Sequence, residues 1–192
     1  MSIISLLNSL PGSVAQGLIW GIMALGVYIT FKILDYADLT VDGSLATGGA
    51  VCAVAIAGGV NPWLALIMAI IAGMLAGLIT GLLHTALGIP SILSGILSQL
   101  ALYSINMRIM GKSNVTISRT EFDLIITSGE ITKAIIIGIV FVAAVIAILY
   151  WFFGTEIGCA IRATGNNEPM ARAEGINTNT AKVLGLVISN GL

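Results

Sequence analysis

Long apolar runs, separated by short polar clusters, dominate the 192-residue chain. Ser2–Phe31, Gly43–Met107 and Ala134–Thr155 hold no Asp, Glu, Lys or Arg and are 30, 65 and 22 residues long. A helix crosses a bilayer core with about 20 apolar residues, so these stretches accommodate about one, three and one spans. The runs are continuously apolar rather than alternating, which argues against strands and against a barrel. The expected fold is all-α: a polytopic transmembrane helix bundle of about five spans plus a truncated sixth.

Breakers divide the runs. Proline fits a first helical turn because its missing N–H has no helical partner there, so span one is expected to start near Pro11-Gly12 and to run through Val14–Leu34. Gly58-Gly59-Val60-Asn61-Pro62 ends span two, and Leu87-Gly88-Ile89-Pro90-Ser91 ends span three. Span four is Ser91–Met107, and span five, Ala134–Phe153, closes on Tyr150-Trp151-Phe152-Phe153, which suits a headgroup-level aromatic belt. Gly73, Gly77 and Gly81 recur every four residues, as do Gly17 and Gly21, so each set lies on one helix face and admits a close backbone. Helix packing is the main reading of these faces; a lining for something that moves is the alternative. Ala181–Leu192 starts another apolar run of 12 residues, too short to span. The expectation is therefore an N-terminal fragment of a longer chain, cut within its sixth helix.

Composition agrees: 57% of residues are hydrophobic and 9% charged, against about 25% charged in soluble domains. All 17 charges lie in Lys32–Asp42, Arg108–Lys133 and Glu156–Lys182. A charge at the centre of a span costs about 2.5 to 3.5 kcal/mol on insertion scales, which explains the partition. With a net charge of -1 there is no basic footprint for nucleic acid. Cys52 and Cys159 form no CxxC pair or metal cluster, and no basic leader or cleavage site marks a signal peptide. Five spans put four Lys/Arg on each side, so the positive-inside rule leaves orientation undecided.

Most chemical motifs fail. Gly111-Lys112-Ser113 resembles the end of a P-loop, but Asn106 stands where that loop needs glycine, and a membrane helix precedes it. Any ATP is therefore expected on another chain. Asn114-Val115-Thr116 matches a glycosylation acceptor without supporting context. His84 is the only histidine, so neither a metal site nor a histidine triad is expected, and it reads as an interfacial polar tip. No carboxylate falls inside an expected span, which weakens a proton-coupled mechanism.

Two polar windows carry more. In Asp35–Leu45, Asp42-Gly43 permits a tight turn, and Asp42 or Ser44 is expected to cap the next helix. The functional reading places Asp38, Thr40, Asp42 and Ser44 at the mouth of a pathway or gate. In the second window, 154–180, Asn167 is a good N-cap, Glu168-Pro169 suits a first turn, and Gly175 suits a left-handed stop. This predicts a helix of about two turns with Glu168 and Arg172 paired at i,i+4. Thr178 or Asn179 is expected to cap the next helix. So short a helix is marginal alone, so it packs on the protein's own helix ends or docks into a partner's groove.

The second window resembles the cytoplasmic coupling loop of membrane permease subunits of bacterial ABC importers, the branched-chain amino acid and ribose type. The pattern G-x-x-x-R-A-x-G-x-N-x-x-x-A-x-x-x-G-I-N is met by Gly158, Arg162, Ala163, Gly165, Asn167, Ala171, Gly175, Ile176 and Asn177. Asp38-Leu39-Thr40-Val41-Asp42-Gly43-Ser44 is similar to the polar stretch after the first span of these permeases, and Pro90-Ser91-Ile92-Leu93 to the start of their fourth.

The resemblance implies one transmembrane permease domain over 1–192, the N-terminal part of a longer permease, with 154–180 as coupling loop. It implies a pathway shared with a second permease subunit, a cytoplasmic ATP-binding subunit on the short helix, and an extracytoplasmic solute-binding protein. The chain would then be no enzyme and bind no cofactor, ATP being held by the ATPase. Arg162, Ala163, Gly165, Asn167, Met170, Ala171, Arg172 and Gly175 are the expected coupling residues; Arg162, Met170 and Arg172 are the expected ATPase contacts. The loop would be cytoplasmic and the location a bacterial inner membrane; five full spans would put the N-terminus outside, and a re-entrant segment would reverse that parity. Expected cargo is an amino acid or similar small polar solute; the alternatives are a sugar or nucleoside permease, an ATP-independent transporter or channel, and a scaffold.

Overall fold

The computed structural model describes residues 3–112 and 131–192. The elements are α1 (Ile3–Tyr28), a π-helical turn (Ile29–Ile33), α2 (Val41–Ala57), α3 (Pro62–Thr85), α4 (Ser91–Met110), α5 (Ile131–Phe153), α6 (Glu156–Asn166), α7 (Glu168–Ala173) and α8 (Thr178–Asn190). Among the described residues there are no strands, and the fold is an all-α membrane helix bundle. Asn114-Val115-Thr116 and most of the charged window Arg108–Lys133 lie outside the described residues.

Leu10–Ile33, Pro62–Thr85 and Ala134–Phe153 are long and apolar enough to span a membrane. The other two expected spans are weaker. The helix α2 is apolar but only 17 residues long, and α4 carries Ser94, Ser98, Gln99, Ser104 and Asn106 among its 20 residues. Both are framed by the anticipated breakers: Asn61 caps α3 by accepting from Trp63 N at 3.0 Å, while Gly59 and Gly88 take the positive φ their turns need.

Span one, Leu10–Ile33, agrees with the expected stretch, but its helix begins earlier. The helix starts at Ile3 and continues through Pro11. Proline favours a first turn but does not require one, since loss of a single backbone bond is tolerated in membrane helices.

Helix-end contacts fix the order of passes. At one end, the backbone of Ile33 and Leu34 abuts Gly165 of α6, and His84 and Ser91, at the end of α3 and the start of α4, share a cleft with Glu168 of α7. At the other end, Ile56, Pro62 and Trp63 share a cleft with Ile19 and Ile137. Among the described residues α1, α2, α3, α4 and α5 thus run alternately between the two ends before α6. The second pass is a composite, a non-helical segment 34–40 followed by α2.

The interior is built on α3. Its Gly73, Gly77 and Gly81 lie along α8, and a Cβ on Gly73 or Gly77 would collide with the carbonyl oxygen of Asn190 or Leu186. Gly17 and Gly21 differ: nothing stands within 4 Å of the Cβ positions they would carry. Equal spacing thus yields one packed face and one open face, because packing depends on what the neighbouring helix offers as well as on small residues. Within Ala134–Phe153 of α5, only Ala134 is buried, so this helix presents nearly all its surface outward and packs chiefly on α1.

Candidate functional site

Two polar assemblies stand out. The first is the helical pair α6–α7 at the end where α1, α3, α4, α5 and α8 converge. Thr155 caps α6, its Oγ1 accepting from Gly158 N at 3.3 Å. Ile161 of α6 is fully buried in a core with Leu34, Tyr36, Ala181 and Leu186. Sequence reading gave 154–166 no helix: with few apolar positions and Gly158 and Gly165 inside, its intrinsic preference is weak. Tertiary packing overrides this, since both glycines sit where a Cβ would strike backbone, Phe152 and Phe153 for one, Ile33 and Leu34 for the other.

The short helix α7 follows the expected pattern. Asn167 Oδ1 accepts from Met170 N at 3.1 Å, Pro169 lies in the first turn, and Gly175 adopts φ +87°. Ile176 N donates to Ala171 O at 3.0 Å and Gly175 N to Arg172 O at 3.1 Å, the paired bonds of a Schellman stop. One cap differs: α8 is capped by Asn177, which accepts from Thr180 N at 3.2 Å, rather than by Thr178 or Asn179.

Glu168 ties α7 down. Arg172 Nη2 donates to it at 2.9 Å and Lys182 Nζ, from α8, at 2.8 Å. The Lys182 bond, against the opposing effect of burial, holds the Glu168 carboxyl below the usual range. Arg172 also donates to Thr178 Oγ1 at 3.2 and 3.1 Å. On the outer surface Met170 is 58% exposed, whereas Ala171 is 2% exposed and faces the protein.

The expected coupling residues therefore divide by position. Asn167, Met170 and Arg172 are exposed, while Ala163 is half-buried and Gly165 and Ala171 hold the pair against the bundle. Arg162 is exposed too, but its guanidinium donates to Phe153 O at 2.8 Å and Cys159 Sγ at 3.4 Å, which anchors it at the foot of α5. Behind α7 a polar cleft of about 440 Å³ is lined by Asp35, Tyr36, His84, Asn167, Glu168 and Lys182, among others. His84 Nδ1 lies 2.7 Å from Ile89 O and its ring meets Tyr36 edge-on.

The second assembly surrounds segment 34–40. Asp38 is 2% exposed; its Oδ1 accepts from Thr40 N at 2.9 Å and its Oδ2 from Asn190 Nδ2 at 2.7 Å. Thr40 and Thr80 hydroxyls lie 3.0 Å apart, and Tyr36 Oη lies 2.7 Å from Ser94 Oγ. Close by, Leu39 rests on Gly95. Non-helical backbone at membrane depth is tolerated where protein encloses it, as here.

Several expectations change. The three long apolar helices hold no carboxylate among their spanning residues, yet Asp38 is inside the bundle, because the chain between α1 and α2 folds inward. The cap of α2 is also different: Asp42 is exposed and Ser44 Oγ donates back to Val41 O at 3.0 Å, while Asp38 holds the Thr40 amide. Asp38, Thr40 and Ser44 are thus buried and Asp42 is not. Ser98 Oγ and Asn106 Oδ1 of α4 are buried without a hydrogen-bond partner among the described residues. Thr80 and Asn190 were missed by sequence reading; Thr80 is one threonine in a span, and Asn190 gained meaning only once α8 lay beside Asp38.

The described residues thus form an all-α membrane bundle with a capped helical pair at one end. The family model described as "Branched-chain amino acid transport system / permease component" matches residues 9–192, and the chain belongs to that family. It is 44% identical over 177 residues to a tyrosine transport system permease protein of Clostridioides difficile, covering 92% of this chain and 59% of the relative. An uncharacterized protein of Rickettsia prowazekii is 34% identical, over 97% of this chain and 65% of the relative. The ribose import permease protein of Escherichia coli is 30% identical, over 93% and 56%. The chain thus spans less than two thirds of the length of these relatives. No solved structure matches it significantly.

Proposed function

We propose that the chain is the membrane permease subunit of an ATP-driven importer for an amino acid or similar small polar solute. The observation that carries this reading is α7: a capped two-turn helix, pinned to α8 through Glu168, with Met170 outward at the end where five helices converge. Such a helix is too short to be stable alone and is suited to a partner's groove. The partner is a cytoplasmic ATP-binding subunit, which holds ATP and performs hydrolysis; this chain is no enzyme and binds no cofactor. A second permease subunit completes the pathway and an extracytoplasmic solute-binding protein delivers cargo.

On this reading the α6–α7 end is cytoplasmic, the membrane is a bacterial inner membrane, and five passes leave the N-terminus outside. The polar route runs by Asp38, Thr40 and Ser44. The more similar relative, named for tyrosine transport, favours an amino acid over the sugar named for the ribose permease. A second reading, transport without ATP, draws on Asp38, since buried intramembrane carboxylates serve proton coupling. The test is copurification with a candidate ATP-binding subunit from the same organism and uptake in vesicles with and without ATP. Binding plus ATP-dependent uptake supports the importer; uptake that ignores ATP supports the second reading.

A further inference from the structure

Helix α8 is joined to functional groups at both ends. At its start, Lys182 donates to Glu168 at 2.8 Å and Thr178 accepts from Arg172 at 3.2 and 3.1 Å, so α7 and α8 are tied through two side chains of each. At its far end, Ser189 Oγ donates to Gly26 O of α1 at 2.7 Å and Asn190 Nδ2 to Asp38 Oδ2 at 2.7 Å. Asn190 also donates to Leu186 O at 3.0 Å, which fixes its amide on the helix. Thirteen helical residues span about 20 Å.

The helix α8 lies on a glycine face of α3 and beside the non-helical segment 34–40. The contact face of α3 is built on Gly73, Gly77 and Gly81, with the Met74 side chain beside Gly191 just past the end of α8. Small axial shifts of packed helices are a recurring form of conformational switching. The segment at the receiving end, 34–40, is non-helical and is preceded by a π-helical turn, Ile29–Ile33, a feature concentrated at functional sites. Leu34 of this segment packs on Gly185 of the same helix.

We infer that α8 carries displacement of α7 to segment 34–40, and that Asn190 is the positioning residue which, through Asp38, sets the state of that segment. The inference rests on the importer reading, in which α7 is moved by the ATPase. It assigns Asn190 no contact with solute: its role is exercised through Asp38. Energetic coupling of this kind is carried by an element with two arrangements that both ends bias; here that element is 34–40.

The test uses the assembled transporter in proteoliposomes, measuring solute imported per ATP hydrolysed for wild type, Asn190→Ala and Asp38→Asn. The expected result is a fall of about tenfold in that ratio, with ATP hydrolysis and ATPase copurification retained. Asn190→Gln, which keeps a donor amide, is expected to recover part of the ratio. Equal loss of uptake and hydrolysis together, or an unchanged ratio, would overturn the inference, since a merely structural contact lowers both rates alike. If Asn190→Ala fails to accumulate in the membrane, Asn190→Leu, which keeps the volume and removes the donor, decides by the same criteria. Failure of the wild-type chain to bind the ATPase would instead overturn the importer reading.

Discussion

Lys182 Nζ and the Glu168 carboxylate meet at 2.8 Å across 14 residues of sequence, joining the helix α8 to the short helix α7. Their bond, aided by the Lys182 and Arg172 charges, depresses the Glu168 pKa against the opposing effect of burial. A depressed carboxylate contributes stability that is present above its unfolded pKa and lost as pH falls through the lower folded one. Protection of the α7 amides against hydrogen exchange is therefore expected to be flat from neutral pH to the ordinary carboxylate range and to decline only below it. Glu168→Gln should abolish that decline and lower α7 protection by about twofold at neutral pH, the scale of part-exposed ion pairs.

The glycine faces make opposite predictions under one substitution. Gly77→Ala drives a Cβ into the Leu186 carbonyl, and overpacking of this kind costs about 1 to 3 kcal/mol. Gly17→Ala meets nothing and, within α1, should stabilise by about 0.5 to 1 kcal/mol through helix preference. Thermal unfolding in detergent compares the two, and equal effects would contradict the packing described.

Orientation is readable from the native cysteines. Cys159 is exposed on α6, whereas Cys52 lies half-buried within the apolar helix α2. A membrane-impermeant maleimide is expected to label Cys159 in inverted vesicles and to leave it unlabelled in right-side-out ones. The reverse pattern would put the α6–α7 end outside.

How far the sequence carries depends on whether a feature is local. The Asn167 cap, the Glu168–Arg172 pair and the Gly175 stop depend on residues a few positions apart, and α7 follows the expectation drawn from them. The breakers at Gly58–Pro62 and Leu87–Ser91 are local too, and delimit α2, α3 and α4. Features that depend on distant residues were not legible. Asp38 reads as an interfacial carboxylate until α8, 152 positions away, brings Asn190 to it. The helix α6 forms against its own composition because Leu34 and Leu186 bury Ile161, and Gly17 and Gly21 share the spacing of Gly73 and Gly77 without sharing a neighbour.

The central claim is that α7 receives an ATPase. Met170 projects outward while Ala171 beneath it is buried, so Met170→Glu alters the outer surface and leaves the helix seated. The most direct measurement is copurification of the ATPase with the wild-type chain and with Met170→Glu, together with ATP-driven uptake. The account predicts association and uptake for the wild type, and loss of both in Met170→Glu with an unchanged melting temperature. Undiminished association and uptake in that variant would contradict it.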